Sequence, residues 1–266
     1  MIRFFINIKK YYKYALYQAK AELKAEVANS YLNWIWWILD PLFFMIIYSF
    51  VVQVVFGNSQ KYFPVFVFTA LTCWDFFNRM ISGSVKLVVN NRTVVTKVYI
   101  PKYILLLSKS FTYLFKYFIS FVLLLILMLF FKVPFTWSML WAIPITFVLY
   151  VVSFGIASIL MHFGVYVDDL ANVTNIVLRF LFYLSGIFYD IKSRLESKKF
   201  CGLNLSYVLL RYNPIANIIY EMRVTLLDGG TPSIKWLVAW FIMGIILTII
   251  GVNTIHEYEN SYAKVI

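Results

Sequence analysis

The segment GSVKLVVNNRTVVTKVYIPK, residues 83–102, lies between two long apolar runs and orients the rest of the chain. It carries the basic residues Lys86, Arg92, Lys97 and Lys102 and no acidic residue that would balance them. Short loops with an excess of Lys and Arg lie on the cytoplasmic side of a membrane. We therefore expect residues 83–102 to form a cytoplasmic loop.

The composition argues against a soluble domain. Hydrophobic residues make up 62% of the chain and charged residues only 14%, whereas about a quarter of a typical soluble domain is charged. The net charge of +12 could suggest nucleic acid, but the apolar runs leave little room for the soluble basic face that such binding requires. We interpret the charge as a topology signal and as an attraction to anionic membrane lipids, and we expect no nucleic-acid partner.

The apolar runs predict an all-α membrane protein with a single domain, 1–266, and six transmembrane helices. A helix needs roughly 20 apolar residues to cross a bilayer, and each run provides about that number. The predicted spans are 31–56, 62–82, 103–131, 137–165, 170–189 and 234–255. Six spans with residues 83–102 inside place both termini in the cytoplasm. The outer segment 190–232 carries six basic residues against the charge rule, but its length and its acidic neighbours weaken that objection.

Residues 2–27 predict an amphipathic helix before the first span. Its basic stripe, Lys9, Lys13, Lys20 and Lys24, runs beside an apolar face. The apolar face consists of Phe4, Phe5, Ile8, Tyr12, Leu16, Ala19 and Leu23. This pattern is typical of a helix that lies in the membrane interface with its Lys side chains near anionic lipid. The alternative is a solvated helix that packs on a partner.

The segment 190–232 contains an apolar patch, residues 206–227, that is too short and too interrupted to cross a bilayer. Non-helical backbone at membrane depth is tolerated only where protein buries it or where it lines water. We therefore expect short re-entrant or interfacial helices on the outer side, before the last span.

Polar side chains inside the predicted spans mark surfaces that avoid lipid, because an intramembrane charge must face protein or water. Asp75 and Arg79 are four residues apart in the second span and can pair on one helix face. Lys109 and Lys116 in the third span are expected to face away from lipid. The fifth span places Asn172, Asn175, Arg179 and Tyr183 within a narrow arc, and the first span places Trp34, Trp37 and Tyr48 on one face.

The sequence holds no clear enzyme pattern. No Gly is followed by Lys, so the phosphate-binding loop GxxxxGK[ST] is absent and the chain does not hydrolyse ATP in that way. His162 and His256 have no HExxH or comparable metal spacing, and Ser153 lies in no GxSxG turn. Asp168 and Asp169 are best interpreted as a cap of the fifth span. We therefore expect neither catalytic nor metal-binding residues.

Three parts of the sequence resemble the permease subunits of polysaccharide ABC exporters, which move lipid-linked O-antigen, capsule or teichoic acid across the cytoplasmic membrane. They are YLNWIWWILDPLFFMIIYSFVV (31–52), YFPVFVFTALTCWDFFNRMISGSVKLVVNNRTVVTKVYIPKYILLLS (62–108), and DDLANVTNIVLRFLFYLSGIFYDIKS (168–193) followed by RYNPIANIIYEMRVTLLDG (211–229). The resemblance covers most of the chain, and the three parts keep the order and spacing that they have in the family. The segment 197–205 departs from the family pattern, and Asp40 stands before Pro41, which leaves the exact substrate open.

The resemblance implies a homodimer that works with two copies of a separate P-loop ATPase. The chain itself then carries no cofactor, because ATP and Mg²⁺ bind to the partner. Residues 83–102 would supply the coupling helix that docks into the ATPase. The implied contacts are Asn91, Arg92, Val95, Lys97 and Tyr99.

The resemblance also implies a route for a lipid-linked glycan, whose phosphate link and sugars need polar and aromatic surroundings. The implied pathway residues are Trp34, Trp37, Tyr48, Asn172, Asn175, Arg179 and Tyr183. Segment 190–232 would form an outer gate that includes Tyr212, Asn213 and Pro214. The expected location is the cytoplasmic membrane of a bacterium or archaeon, in contact with membrane lipids.

Three alternatives stay open. The first is an ABC exporter permease for drugs or lipids, which the compound that accumulates on depletion would identify. The second is a membrane-embedded glycosyl or acyl transferase, which would lose turnover on substitution of Asp40 or Asp168. The third is a scaffold or channel that needs no ATP, against which an adjacent ATPase gene would count.

Overall fold

The computed structural model describes residues 2–28, 33–55, 61–97, 99–195, 198–200 and 203–265. These residues form twelve α-helices and one short antiparallel hairpin. The helices are α1 (Ile2–Ala28), α2 (Asn33–Phe50), α3 (Phe63–Val85), α4 (Leu87–Asn90), α5 (Arg92–Lys97), α6 (Lys102–Phe130), α7 (Ala142–Tyr166), α8 (Leu170–Leu184), α9 (Ile191–Leu195), α10 (Leu205–Tyr212), α11 (Pro214–Leu226) and α12 (Ile234–Val265). A π-helical turn, Val51–Val55, follows α2, and a 3-10 turn, Trp137–Trp141, precedes α7. The strands β1 (Lys199–Phe200) and β2 (Leu203–Asn204) pair with Lys199 opposite Asn204.

Helix α3 forms the centre of the bundle. Most of its side chains are buried, and it packs against α2, α6, α7, α8 and α11. Its polar residues Asp75, Asn78 and Arg79 line cavities that also have walls from α2 and α8, so they avoid lipid. The end of the bundle that holds α4 and α5 is called the inner end below, and the end that holds α9, α10 and α11 is called the outer end.

Helices α7 and α12 form the most extensive helix pair. Glycines allow their backbones to approach closely, as small residues commonly do between membrane helices. A Cβ atom on Gly155 would lie 2.8 Å from the carbonyl oxygen of Gly244, and one on Gly251 would collide with the hydroxyl of Ser158. Larger residues at these positions must therefore separate the two helices.

Four helices in the described residues are long and apolar enough to cross a membrane by length and composition. They are Trp34–Val54, Lys102–Phe130, Trp137–Tyr166 and Ile234–Tyr262, at the positions of the first, third, fourth and sixth predicted spans. The chain is therefore a multi-pass membrane protein. Helices α3 and α8 lie at the positions of the second and fifth predicted spans, but their crossing of the membrane stays a prediction.

The helices at the positions of the last two predicted spans differ from those spans in length. Helix α8 ends at Leu184 rather than at 189, because Gly186 adopts a φ of +66°, in the left-handed region that favours glycine at helix ends. With 15 residues, α8 is about 22 Å long, shorter than the roughly 30 Å hydrocarbon core. Helix α12 begins where the sixth predicted span begins and continues as a helix through the predicted tail to Val265.

Helix α1 packs along α6 through a face that coincides only in part with the predicted apolar face. Ala15 and Ala19 are buried, whereas Tyr12 and Leu16 are 43% and 50% exposed. The small alanines allow close contact, and the hydroxyl of Ser108 on α6 donates to the carbonyl oxygen of Ala15 at 3.1 Å. Helix α1 therefore packs against the helix bundle, while exposed aromatic and aliphatic side chains such as Tyr12 and Leu16 face away from it.

Two ion pairs hold α1 on α6. Lys109 pairs with Glu22 at 3.0 Å, and Lys116 pairs with Glu26 at 2.6 Å. Both lysine side chains are mostly covered, with exposed fractions of 26% and 10%. The expectation that these lysines face away from lipid is confirmed, and their acidic partners come from the N-terminal helix.

Candidate functional site

A groove between α2, α3 and α8 combines aromatic and polar side chains. Its larger part is a cavity of about 700 Å³. The lining residues are Phe44, Tyr48, Trp74, Asn78, Asn175, Leu178, Arg179, Phe182 and Tyr183. A neighbouring cavity of about 280 Å³ shares Phe44, Trp74 and Phe182 with it and adds Asp40, Pro41, Leu71, Asp75 and Arg79. We refer to the two cavities together as the side groove.

Four of the seven predicted pathway residues meet in the side groove. Tyr48, Asn175, Arg179 and Tyr183 line its larger cavity. The aromatic walls are held by ring contacts within the protein, since Phe182 packs edge-on against Trp74 at 5.4 Å and Tyr48 lies 4.6 Å from Phe44, measured between ring centroids. The groove therefore offers ring faces and hydrogen-bond donors side by side.

The other three predicted pathway residues do not line the side groove. Trp37 points towards α6, where its ring meets Phe115 edge-on at 6.4 Å and the ammonium of Lys116 lies 5.0 Å from its centroid. Trp34 and Asn172 are exposed outside the groove. Trp34, Trp37 and Tyr48 were predicted on one face of the first span, but only Tyr48 lines the side groove.

The charges of the side groove differ in how they are compensated. The predicted pair on α3 is confirmed, because Arg79 donates from Nε to Asp75 at 2.7 Å. Arg179 on α8 is exposed and pairs with no acidic residue in the described part of the chain. Asp168, in the turn before α8, binds Lys86 instead. The guanidinium of Arg179 is therefore open to a ligand or a further chain.

Helix α8 exposes nearly its whole surface. Only Thr174 and Leu178 are buried, while Asn172, Asn175 and Arg179 are exposed. A polar stripe on a membrane helix must face protein or water, so lipid is an unsuitable environment for this one. The exposed side of α8 therefore calls for a second chain, an aqueous path or both.

The segment 83–102 folds into the end of α3 and the two short helices α4 and α5. Arg92 and Lys97 are exposed, whereas Asn91 turns back to donate to the carbonyl oxygen of Leu87 at 2.8 Å. Val95 is only 6% exposed, so it anchors the segment from inside and has little surface to offer a partner. Of these four residues, only Arg92 and Lys97 leave their side chains exposed at the surface.

Long-range contacts attach this segment to the bundle. Tyr99 is 67% exposed, yet its hydroxyl donates to a carboxylate oxygen of Glu259 on α12 at 3.2 Å. Lys86 donates to Asp168 in the α7–α8 turn at 2.9 Å, and this hydrogen bond lowers the pKa of Asp168. A Cβ atom on Gly164 of α7 would collide with the backbone carbonyl at the end of α3. The inner end is thus a closely packed joint between α3, α7, α8 and α12.

At the outer end, the predicted gate residues have unequal positions. Tyr212 is 75% exposed. Asn213 is buried and caps α11, because its side-chain oxygen accepts from the backbone N–H of Ala216 at 3.3 Å and its amide donates to the hydroxyl of Ser185 at 3.1 Å. Pro214 occupies the first turn of α11. These contacts join α11 to the end of α8.

Arg223 lies at the centre of the outer end, a role that the sequence pattern did not reveal. This residue is 6% exposed and donates to three backbone oxygens, those of Phe66 at 3.1 Å, Gly186 at 2.7 Å and Ile187 at 2.7 Å. It therefore ties α11 to α3 and to the turn after α8. The excess of basic residues in the outer segment was the sequence feature that could have indicated this role. A basic residue that is buried and hydrogen-bonded inside the protein does not count among the loop charges that set the topology.

Comparison with known proteins places these features in a family context. The sequence profile of the ABC-2 type transporter family matches residues 17–210, which is most of the chain. Similar proteins include two from Klebsiella pneumoniae that are named O-antigen export system permease protein RfbA. They are 23% and 24% identical over 246 residues, with 92% of each chain covered. A protein of the same name from Myxococcus xanthus is 22% identical over 264 residues, with 99% of each chain covered.

Proposed function

We propose that this chain, which belongs to the ABC-2 type transporter family, is the membrane subunit of an ABC exporter for a lipid-linked polysaccharide. The chain acts as a permease and not as an enzyme, and ATP hydrolysis takes place in a separate P-loop ATPase that binds ATP and Mg²⁺. This substrate class is supported by three relatives that are named O-antigen export permeases. The similarity covers at least 92% of the length of each of them. Its place is the cytoplasmic membrane of a bacterium or archaeon.

The observation that carries the proposal is the side groove with its unpaired Arg179. A lipid-linked glycan joins an apolar tail to sugars through a phosphate or pyrophosphate. Arg179 and Asn175 supply donors for the phosphate oxygens. The rings of Tyr48, Trp74 and Tyr183 offer apolar faces for sugars while the tail stays near lipid.

A homodimer accounts for the exposed side of α8. Two copies that face each other through α2 and α8 would cover the polar stripe of Asn172, Asn175 and Arg179 and enclose an aqueous path between them. Each copy would use six spans with both termini in the cytoplasm. Helix α8 would span only part of the hydrocarbon core, and the re-entrant helices of the outer gate would complete the fifth crossing. The gate includes Tyr212, Asn213 and Pro214.

Two copies of the ATPase would dock at the inner ends. The exposed residues Arg92 and Lys97 on α5 and Tyr99 after it form the contact surface, while Asn91 and Val95 hold the segment in shape. Two hydrogen bonds would transmit movements of the ATPase to the bundle. Lys86 connects to Asp168 before α8, and Tyr99 connects to Glu259 on α12.

The decisive experiment combines purification with depletion. The chain is isolated from nanodiscs or a mild detergent, and its companions are identified by mass spectrometry, while depleted cells are analysed for lipid-linked glycan. We expect a P-loop ATPase at one-to-one stoichiometry and accumulation of lipid-linked glycan inside the cell. Accumulation of a drug or another lipid would instead indicate a different exporter, and isolation without an ATPase would refute the proposal.

A variant tests the role of the side groove itself. Arg179→Gln removes the charge that would hold the phosphate, and the loss of one charge-assisted hydrogen bond corresponds to a roughly 10- to 150-fold weaker interaction. We expect glycan export to fall in that range. The matched control is Phe180→Leu, since Phe180 is exposed on the same helix and does not line the groove. Equal export by the two variants would contradict the assignment.

A further inference from the structure

The outer end contains a second polar cavity, separate from the side groove, of about 410 Å³. It lies between α9, α10, α11 and the beginning of α12, and we call it the outer cavity. Its lining residues are Lys192, Asn204, Ser206, Tyr207, Leu210, Arg211, Asn217, Tyr220, Glu221, Ser233 and Trp236. The volume falls within the roughly 300–1,000 Å³ of small-molecule sites.

One wall of the outer cavity is a stacked arrangement of aromatic and cationic side chains. The guanidinium carbon of Arg211 lies 3.2 Å from the ring centroid of Tyr207 and 4.7 Å from that of Trp236. Cation–π contacts of this kind hold a guanidinium in a defined place. Its N–H groups have no hydrogen-bond partner among the described residues, so they are available as donors at the cavity.

The floor of the outer cavity presents acceptors that the protein does not fully use. Asn217 is only 2% exposed, and its side-chain oxygen has no hydrogen-bond partner among the described residues. Glu221 is 3% exposed, and one of its carboxylate oxygens accepts from the backbone N–H of Ser233 at 2.9 Å. A buried polar atom without a partner is costly and is rare in folded proteins, so Asn217 calls for a ligand that donates a hydrogen bond.

The combination of groups selects one ligand chemistry. Phosphate and other anions act mainly as hydrogen-bond acceptors, and their negative charge would face the carboxylate of Glu221. A cation would meet Arg211 and Lys192. A hydroxyl group both donates and accepts, and the apolar C–H face of a sugar ring can pack against Tyr207 or Trp236.

We propose that the outer cavity binds a neutral saccharide unit of the exported glycan at the outer end of the protein. The inference rests on the proposed export function and adds a site for the sugar part of the substrate. Asn217 and Glu221 accept from sugar hydroxyl groups, Arg211 and Lys192 donate to them, and the aromatic wall contacts the ring. Binding of a sugar in the outer cavity would hinder the exported glycan from moving back into the pathway.

The binding test uses the full-length chain with its ATPase in nanodiscs, because maltoside detergents would themselves supply a saccharide. The probes are a panel of neutral di- and trisaccharides built from mannose, galactose and N-acetylglucosamine, with inorganic phosphate as the comparison. Saturation-transfer difference NMR reports contact and affinity. We expect at least one saccharide to bind at millimolar concentration and phosphate not to displace it. No binding by the panel, or displacement by phosphate, would overturn the proposal.

Variants locate the binding. Asn217→Leu keeps the number and branching of the side-chain heavy atoms but removes the acceptor, so we expect about a tenfold or greater loss of affinity. The melting temperature should be unchanged or higher, because an unpaired buried oxygen is removed. If this variant does not fold, Tyr207→Leu provides the test, since Tyr207 is 47% exposed. Lys235→Gln is the control, because Lys235 is exposed next to Trp236 and outside the cavity. Wild-type affinity in Asn217→Leu or Tyr207→Leu would overturn the site.

The failure of this inference is distinguishable from the failure of the proposed function. If depletion of the chain leaves the surface glycan unchanged, the export function is wrong whatever the NMR experiment gives. If depletion stops export and no saccharide binds, only the assignment of the outer cavity is wrong.

Discussion

Replacement of Arg223 by Met should loosen the outer end without unfolding the rest of the bundle. The guanidinium satisfies the carbonyl oxygens of Gly186 and Ile187, each at 2.7 Å. Each buried oxygen left without a partner costs about 1–3 kcal/mol, which gives roughly 2–6 kcal/mol for the two. Because Met also removes the cost of burying a charge, we expect the lower part of this range, about 2–3 kcal/mol.

Hydrogen–deuterium exchange measures this loss where it occurs. A reduction of about 2–3 kcal/mol in the free energy of local opening speeds exchange by roughly 30- to 150-fold. We expect this acceleration in peptides from α11 and no change in peptides from α7. Arg223→Lys should also be destabilised, because one ammonium cannot replace a planar fork that reaches two carbonyl oxygens.

Arg194→Met is the matched control, since Arg194 is exposed on α9 in the same segment. It removes the same charge from the outer segment but breaks no buried contact. Exchange in α11 that is the same for Arg223→Met, Arg194→Met and the wild-type chain would refute the role of Arg223 as an anchor. Equal acceleration by both variants would mean that the charge of the segment matters and the buried hydrogen bonds do not.

Three further predictions concern the inner end. The double variant Arg92→Glu with Lys97→Glu reverses the exposed charge of α5 and should weaken co-purification of the ATPase while membrane insertion stays normal; unchanged association would contradict the docking surface. Gly164→Ala places a Cβ against backbone that cannot move aside and should lower the free energy of unfolding by about 1–3 kcal/mol, measured by thermal unfolding in nanodiscs. Lys86 lowers the pKa of Asp168 below its ordinary value of 3.8, so this pair stabilises the folded protein above that pH, and its contribution is lost as the pH falls through the lower folded value. Lys86→Met should remove this part of the acid dependence of unfolding.

Several features of the protein follow from short-range sequence patterns. The bounds of α6 agree closely with the third predicted span, and the 3-10 turn Trp137–Trp141 together with α7 covers the fourth. This agreement is expected because length and hydropathy are properties of a continuous stretch. The Asp75–Arg79 pair was predictable because residues four apart in a helix are neighbours. The end of α8 at Leu184, just before Gly186, was not predicted, since a single glycine within an apolar run does not by itself stop a helix.

The sequence by itself determined the helical membrane class, the order of the main helices and the basic inner segment, because these depend on local composition and periodicity. Only the tertiary structure decided that Arg223 anchors the turn after α8, that Glu22 and Glu26 pair with lysines of α6, and that Asn217 lies unpaired in the outer cavity. Each of these depends on residues that are distant in the chain, and their meeting is set by how the helices pack. A charged or polar residue therefore shows in the sequence that it needs a partner, but the packing of the helices decides which partner it finds.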